Sequence, residues 1–298
     1  MKRMFGLLFA LALVAASCGD SSDAAEQAAA AAGQAAAAAE QTAAEAAEEV
    51  SDALQALRSR GVVTANMFVE VPTSSIGTDG VPVGLVPELT AELFRRLGVD
   101  KFEGTALDFP AVIPSVQAGQ YDFASSNFSI TQERCDTVAF SDPIIANRLL
   151  YVVADGNPEG IVDLASMRDN GLTQAVASGT MQEGIANEND IGTVVVSAVP
   201  DMIAAVESGR ADATVMSDLV ATYLGLDERL DLVVAEEYPI SFTSVIFARD
   251  NAGLRDDFNR ELAAMGEDGT FAEFLETYGS NPDLVIGVTR QDILEGCY

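Results

Sequence analysis

The apolar residues of this chain alternate between short runs and helical spacing from about residue 61 onwards. Short apolar runs predict β-strands over 61–71, 121–125, 149–154, 174–177, 193–199, 213–216, 232–235 and 243–248. Helical spacing predicts helices over 85–97, 112–118, 180–187, 202–208, 218–224, 254–265 and 271–278, with a helical turn at 131–135. Repeated strand–helix units favour an α/β fold with parallel sheets, in which ligand sites lie at the ends of strands.

The start of the chain has the pattern of an export signal. Lys2 and Arg3 precede an apolar run over 4–16, which is too short to span a bilayer comfortably. We therefore predict a signal peptide over 1–17. Small residues lie directly before Cys18, which resembles the bacterial lipobox, so we expect Cys18 to be lipidated and to open the mature chain. The alternative is an ordinary cleavage site, in which Cys18 is incidental.

The segment after Cys18 predicts a tether. Residues 19–49 are rich in Ala, Glu, Gln and Ser, and the next large apolar residue is Val50. Alanine favours helix but buries too little surface to pack, so we predict a partly helical tether over 18–55. A coiled coil would need leucines at heptad spacing, which this segment lacks.

The composition excludes several classes of function. The chain has 16 basic and 46 acidic residues, no His, and a net charge of −30. Such a chain repels nucleic-acid phosphates, so we expect no nucleic-acid partner. Without His it lacks the commonest metal ligand and the usual general base, and Ser-His-Asp and Cys-His catalysis are excluded. We expect no metal, no cofactor and no catalytic residue.

Several motifs occur in an order that resembles the amino-acid-binding family of bacterial solute-binding proteins of ABC transporters. They are GLVPEL at 84–89, RRLG at 95–98, FPAVIPSVQAGQYD at 109–122, SITQER at 129–134, FSDP at 140–143, SGT at 178–180, GRADA at 209–213, SD at 217–218 and DGT at 268–270. The resemblance implies a two-lobed periplasmic-binding-protein fold of type II, with two parallel or mixed sheets, two crossover strands and the ligand in the cleft. Lobe one would be 61–150 plus 240–298, and lobe two 151–239.

The same resemblance implies a clamp for an amino acid. A site that buries a ligand carboxylate and ammonium must pair both charges. Arg134 ends the SITQER motif and would take the carboxylate through two parallel hydrogen bonds. Asp218 would accept from the ammonium. From spacing alone, Arg134 could equally be a surface helix residue, and Asp218 could be a helix N-cap.

Backbone and aromatic groups would complete that clamp. Thr180 fits a helix N-cap with Glu183 at the third helical position, and helix-start amides such as that of Met181 bind anions. Ser129 lies at the matching position of the other lobe, with Ser126 and Asn127 before it; simple loop polarity is the alternative. Phe109 matches an aromatic that contacts the ligand side chain in the family, and core packing is its alternative.

The segment after the first strand departs from the family. Glu70 stands where an aromatic residue is common, and Thr73 where a Phe is common. Val86 replaces the first acid of another motif, and Ala177 occupies a position that varies with the ligand. We therefore predict an intact amino-acid clamp with an unusual side-chain pocket. Glu70 is our candidate for reading a polar or cationic ligand side chain.

The expected protein is an exported receptor and not an enzyme. Its partners would be a small amino-acid-like ligand, an ABC permease, and the outer face of the membrane, through the lipid. One alternative is a cleft enzyme like the cyclohexadienyl dehydratases, with Glu70 as its acid. Another is a ligand sensor for a membrane kinase. Cys135 and Cys297 are the remaining thiols, and an oxidising compartment predicts a disulfide between them, with two unpaired cysteines as the alternative.

Overall fold

The structure, a computed structural model, describes residues 50–297. The predicted signal peptide, Cys18 and most of the predicted tether lie outside these residues. Among residues 50–297, every helix is too short or too polar to cross a bilayer.

The described chain begins with a packed helix, α1 (Asp52–Arg60). Leu54 and Leu57 are buried in the core of the first sheet. The Ser51 side chain caps α1, while its amide and hydroxyl donate to the buried Asp257 carboxylate at 3.0 and 2.5 Å. The tether predicted over 18–55 therefore overlaps the first turn of this packed helix. The helix has a weak signal in the sequence, because its large buried apolar side chains are two leucines.

Lobe one begins with alternating strands and helices. These elements are β1 (Val62–Met67), β2 (Ser75–Ile76), β3 (Pro82–Val83), α2 (Leu85–Arg96), β4 (Lys101–Ala106), α3 (Phe109–Gln117), β5 (Phe123–Ser129), α4 (Gln132–Cys135), β6 (Ala139–Phe140) and β7 (Ile145–Asn147). The helix predicted over 112–118 starts three residues earlier, and the strand predicted over 61–71 ends at Met67. The sequence pattern missed β4, because most of its side chains are exposed at the edge of the sheet.

Lobe two has the same kind of alternation. Its elements are β8 (Leu149–Ala154), α5 (Leu164–Asp169), β9 (Thr173–Ala177), α6 (Met181–Glu188), β10 (Gly192–Val196), α7 (Val199–Glu207), β11 (Ala213–Ser217), α8 (Asp218–Tyr223) and β12 (Leu230–Val234). The chain then returns to lobe one through β13 (Ser241–Phe247), α9 (Ala252–Glu267), α10 (Thr270–Thr277) and α11 (Arg290–Ile293).

The two lobes are built on two mixed sheets. The first has the order β4-β1-β5-β13-β6, with β7 also paired to β13, and the second has the order β10-β9-β11-β8-β12. Strands β4, β1 and β5 run parallel, whereas β13 is antiparallel to β5. The chain passes from the first sheet to the second at Arg148, and it returns between Val234 and Ser241. The lobe boundaries expected from the resemblance, at 150/151 and 239/240, stay a prediction.

A C-terminal tail, residues 279–297, lies against lobe one. Val285 is buried in the same core cluster as α1 and α2. Arg290 is paired with Asp142, with its side-chain Nη1 2.9 Å and its amide 3.1 Å from the carboxylate. Cys297 is fully buried and forms a disulfide with Cys135, across a sequence separation of 162 residues. The tail is therefore held at several points along its length.

We expect Cys297→Ala to lower the free energy of unfolding by up to about 4–5 kcal/mol, because the bond closes a very long loop in the unfolded chain. Urea denaturation of the wild type and the variant measures the difference. Thiol labelling of the denatured, unreduced wild type should find neither Cys135 nor Cys297 free. Labelling of both residues would show that the bond is absent.

Candidate ligand-binding cleft

A cleft between the two sheets collects most of the predicted site residues. Lobe one and its crossover contribute Phe68, Glu70, Phe109, Ser126, Asn127, Ser129, Arg134, Asn147, Ser241 and Thr243. Lobe two contributes Leu149, Ala177, Thr180, Met181, Gln182, Val199, Met202, Val215, Met216 and Ser217. Of these lining residues, Glu70 and Arg134 are the charged ones, and both belong to lobe one.

Arg134 projects from α4, whose N-cap is Thr131. Its guanidinium lies over Phe109 and Phe128, 5.5 and 5.9 Å from the ring centroids. Nη1 donates to the Ser129 carbonyl at 3.1 Å, and Nη2 donates to the Gly179 carbonyl of lobe two at 3.2 Å. Burial lowers the pKa of Arg134, but an arginine stays charged in proteins. A cation is thus held between aromatic faces and both lobes.

The start of α6 faces the same cleft. Thr180 is its N-cap, and the hydroxyl accepts from the Glu183 amide at 3.3 Å. The Glu183 carboxylate accepts from the Gly179 amide at 2.6 Å, one residue before the position that a standard capping box uses. The amides of Met181 and Gln182 lie in the first helical turn, where no intrahelical acceptor is available. Such amides favour an anion.

Glu70 lies in the bend after β1 and lines the cleft with polar neighbours. Thr73 donates to the Glu70 carbonyl at 2.6 Å and to its carboxylate at 3.3 Å. Burial raises the pKa of Glu70, and hydrogen bonds from Asn127 and Thr73 partly oppose this rise. Thr73, which like Glu70 differs from the residue common in the family, therefore orients the Glu70 side chain.

The Glu70 bend is held by the start of α2. The amides of Leu85 and Val86 donate to the carbonyls of Pro72 and Thr73 at 3.1 and 2.9 Å. Gly84 has φ 108° and lies so close to Pro72 that a Cβ would be 2.7 Å from its carbonyl oxygen. Only glycine combines that backbone conformation with that approach. Gly84 therefore lets the start of α2 lie close enough to form hydrogen bonds with the bend that carries Glu70.

The structure does not bring Asp218 into this cleft. Ser217 lines it and caps α8, accepting from the Val220 amide at 3.2 Å. The Asp218 carboxylate accepts from the Leu219 amide at 2.9 Å, and the residue lines a second cavity with Asn147 and Ser280. Asp218 thus lies beside the cleft, in a cavity that shares Asn147 with it, and its contact with a ligand ammonium stays a prediction.

The sequence pattern did not predict the apolar wall of lobe two, which is formed by Met181, Met202 and Met216. Met181 was predicted for its amide alone, whereas Met202 and Met216 were not singled out. All three are flexible, polarizable side chains that adapt to the shape of a ligand. Helical spacing in α7 marks Met202 as buried but does not distinguish a cleft from a core. Phe109 lines the cleft and packs edge-to-face with Phe68 at 5.3 Å, and its contact with the ligand side chain stays a prediction.

Comparison with known proteins identifies the family. A family model for bacterial extracellular solute-binding proteins, family 3, matches residues 62–281. The probable amino-acid ABC transporter periplasmic-binding protein y4tE of Sinorhizobium fredii is 26% identical over 259 residues, covering 82% of this chain and 85% of that protein. The lysine/arginine/ornithine-binding periplasmic protein of Escherichia coli is 31% identical over 220 residues, covering 70% and 83%.

Solved structures share the fold. EhuB in complex with hydroxyectoine has a TM-score of 0.75 and 27% identity, covering 80% of this chain and 96% of that chain. The ancestral amino acid-binding protein AncCDT-1, a precursor of cyclohexadienyl dehydratase, has a TM-score of 0.70 and 26% identity, covering 76% and 99%. The predicted type II periplasmic-binding-protein fold is confirmed. This chain belongs to family 3 of the bacterial extracellular solute-binding proteins.

Proposed function

We propose that this chain is the lipid-anchored receptor of an ABC uptake system and binds a small zwitterionic, amino-acid-like solute by closing its lobes. The observation that carries the proposal is the pairing within one cleft of a single cationic and a single acidic side chain, Arg134 and Glu70. A buried zwitterion needs one partner of each sign. Similar proteins are named for binding lysine, arginine, ornithine and histidine.

Arg134 is our proposed partner of the ligand carboxylate. One N–H donates to the Ser129 carbonyl and another to the Gly179 carbonyl, so three of the five donors remain for a ligand. The Met181 and Gln182 amides approach from lobe two. Ser129 and Thr180 line the cleft beside them. Ser129 would supply a hydroxyl donor, whereas the Thr180 hydroxyl donates to the Ala177 carbonyl at 2.7 Å and serves as the helix cap. A carboxylate would thus bridge the lobes.

Glu70 is our proposed partner of the ligand cation. The sequence alone suggested Asp218 as the partner of the ligand ammonium. Glu70 is the acidic residue among the lining side chains of residues 50–297. Asn127 would hold it through the hydrogen bond between their side chains. The Met wall of lobe two would then cover the apolar body of the ligand. L-Arginine and hydroxyectoine, both named in similar proteins, are the first solutes to try.

Closure follows from this division of contacts. Lobe one supplies the charged side chains and lobe two supplies amides and apolar surface, so a bound ligand stabilises the arrangement in which both contact it. The Arg134–Gly179 hydrogen bond already joins the lobes at 3.2 Å. A permease at the membrane would then receive the loaded form, and the tether would keep the receptor nearby.

A second candidate function is a cleft enzyme. The raised pKa of Glu70 suits a general acid, and AncCDT-1 is described as a precursor of cyclohexadienyl dehydratase. The named relatives are binding proteins, which favours the receptor. Recovery of a tightly bound ligand unchanged after prolonged incubation would support the receptor, whereas product formation that Glu70→Gln abolishes would support the enzyme.

We expect Arg134→Ala to weaken the binding of the tightest solute in an amino-acid panel by about 2–5 kcal/mol, because a buried ligand carboxylate loses its partner. Arg134→Lys should also bind poorly, since an ammonium cannot form the two parallel bonds. Isothermal titration calorimetry measures both affinities. Wild-type affinity in Arg134→Ala would place the carboxylate site elsewhere.

We expect Glu70→Gln to stabilise the ligand-free protein at pH 7 while weakening a cationic ligand by about 2–5 kcal/mol. A raised pKa means that the folded state holds the proton more tightly than the unfolded state. Wild-type stability therefore falls as pH rises from about 4.5 through the raised pKa of Glu70, and Glu70→Gln removes this loss. Affinity of the wild type for the cation should fall as pH drops through the same window.

Thermal unfolding and calorimetry at pH 4 to 8 measure these effects of Glu70→Gln. Asp218→Asn is the matched control. It also neutralises one carboxylate, but Asp218 lines the neighbouring cavity and not the cleft. It should retain wild-type affinity within about twofold. A large loss in Asp218→Asn with little change in Glu70→Gln would restore the sequence-based assignment of the cation site.

We expect Cys18→Ser to release the protein from membranes, because two acyl chains at Cys18 would be its anchor. Fractionation of cells that express the wild type and the variant tests this. A variant that stays fully with the membrane fraction would mean that another anchor exists.

A further inference from the structure

The residue that follows the binding arginine is covalently joined to the end of the chain. Cys135 is the last residue of α4, and its sulfur is bonded to that of Cys297. Both cysteines are buried, with 2% and 0% of their surface exposed. The disulfide is thus one residue from Arg134, the side chain that carries the proposed function.

Helix α4 is too short to hold Arg134 by itself. It spans four residues, and one helical turn is unstable without tertiary contacts. Thr131 caps it through the Arg134 amide at 3.4 Å. Arg249 donates to the Asp136 carbonyl at its other end. The disulfide is the covalent link among these supports.

The tail also supports the aromatic floor under Arg134. Cys135 and Cys297 belong to one buried cluster with Phe128, and Leu294 of the tail packs against it. The guanidinium lies 5.9 Å from the Phe128 ring centroid. Loss of the tail contacts would loosen the floor as well as the helix.

The tail is fixed to the fold before it reaches α4. Val285 is buried in the other core cluster of lobe one. The Arg290 side chain, only 13% exposed, is paired with Asp142 at 2.9 Å. This pair lies between Val285 and Cys297, so it holds the last part of the tail against lobe one and lets that part transmit rigidity to Cys135 independently of the Val285 side chain.

We propose that the C-terminal tail is a brace that positions Arg134 for the ligand carboxylate, and that the Cys135–Cys297 bond sets carboxylate affinity. The proposal rests on the proposed function of Arg134. Cys297, Leu294 and Arg290 are positioning residues in this sense, because they act through Arg134 and do not line the cleft. An exported receptor that lost the bond would remain folded but bind its solute weakly.

The test uses the full chain with Cys18→Ser, so that Cys135 and Cys297 are its two cysteines, and compares Cys297→Ala with Val285→Ala. Val285→Ala removes buried methyl groups from the same tail away from Arg134, so it is the matched stability control. The probes are L-arginine and its decarboxylated amine, agmatine. Calorimetry gives the affinity of the Cys18→Ser parent and of each variant for both probes, and thermal unfolding verifies that each variant is folded.

We expect Cys297→Ala to weaken L-arginine binding by about ten- to hundredfold, because the guanidinium of Arg134 would be misplaced. The affinity for agmatine should change less than about twofold. Val285→Ala should lower the unfolding temperature and leave both affinities unchanged. Cys135→Ala, which breaks the bond from the other side, should reproduce the carboxylate-specific loss. Equal losses for both probes, or no loss, would overturn the brace.

A ligand-free measurement separates this proposal from the function on which it rests. If L-arginine does not bind the wild type, that ligand is excluded, and hydrogen exchange decides the brace. Amide exchange over 131–138 should accelerate at least about tenfold in Cys297→Ala and stay at the wild-type rate in Val285→Ala. Equal exchange in the two variants would overturn the proposal.

Discussion

The guanidinium of Arg134 is the group on which the arrangement of the cleft depends. It is a partly buried cation with no carboxylate within bonding distance among residues 50–297, and aromatic faces and carbonyl oxygens support it instead. Burying a charge is expensive unless its remaining donors are paired. In the proposed function, a ligand carboxylate would offset that cost, and affinity would depend on how firmly Arg134 is held.

The charge balance of the cleft is unlike that of the whole chain. The sequence has 46 acidic residues, yet Glu70 is the acidic side chain among the cleft residues described here. Its raised pKa shows that burial disfavours the carboxylate. A destabilising group at this position makes physical sense where a ligand cation compensates it. The excess of acid elsewhere favours solubility.

In the proposed function, the two lobes make different kinds of contact with the ligand. Lobe one presents Arg134 and Glu70, whereas lobe two presents helix-start amides and a wall of methionines. Charged groups set which ends of a ligand are accepted, and apolar surface that is covered only on closure contributes most of its stabilisation in the closed form. A brace on α4 would then matter more than the size of the cleft.

The sequence by itself determined the alternation of strands and helices, the Thr180 cap and the positions of Arg134 and Ser129, because each is a local pattern of three to twelve residues. Tertiary structure decided the rest. Exposed β4 became a strand only by pairing with β1. Helix α1 exists because Leu54, Leu57 and Ser51 find partners far along the chain. Ser217 rather than Asp218 faces the cleft, since a shift of one residue at a strand–helix junction turns a side chain to another cavity.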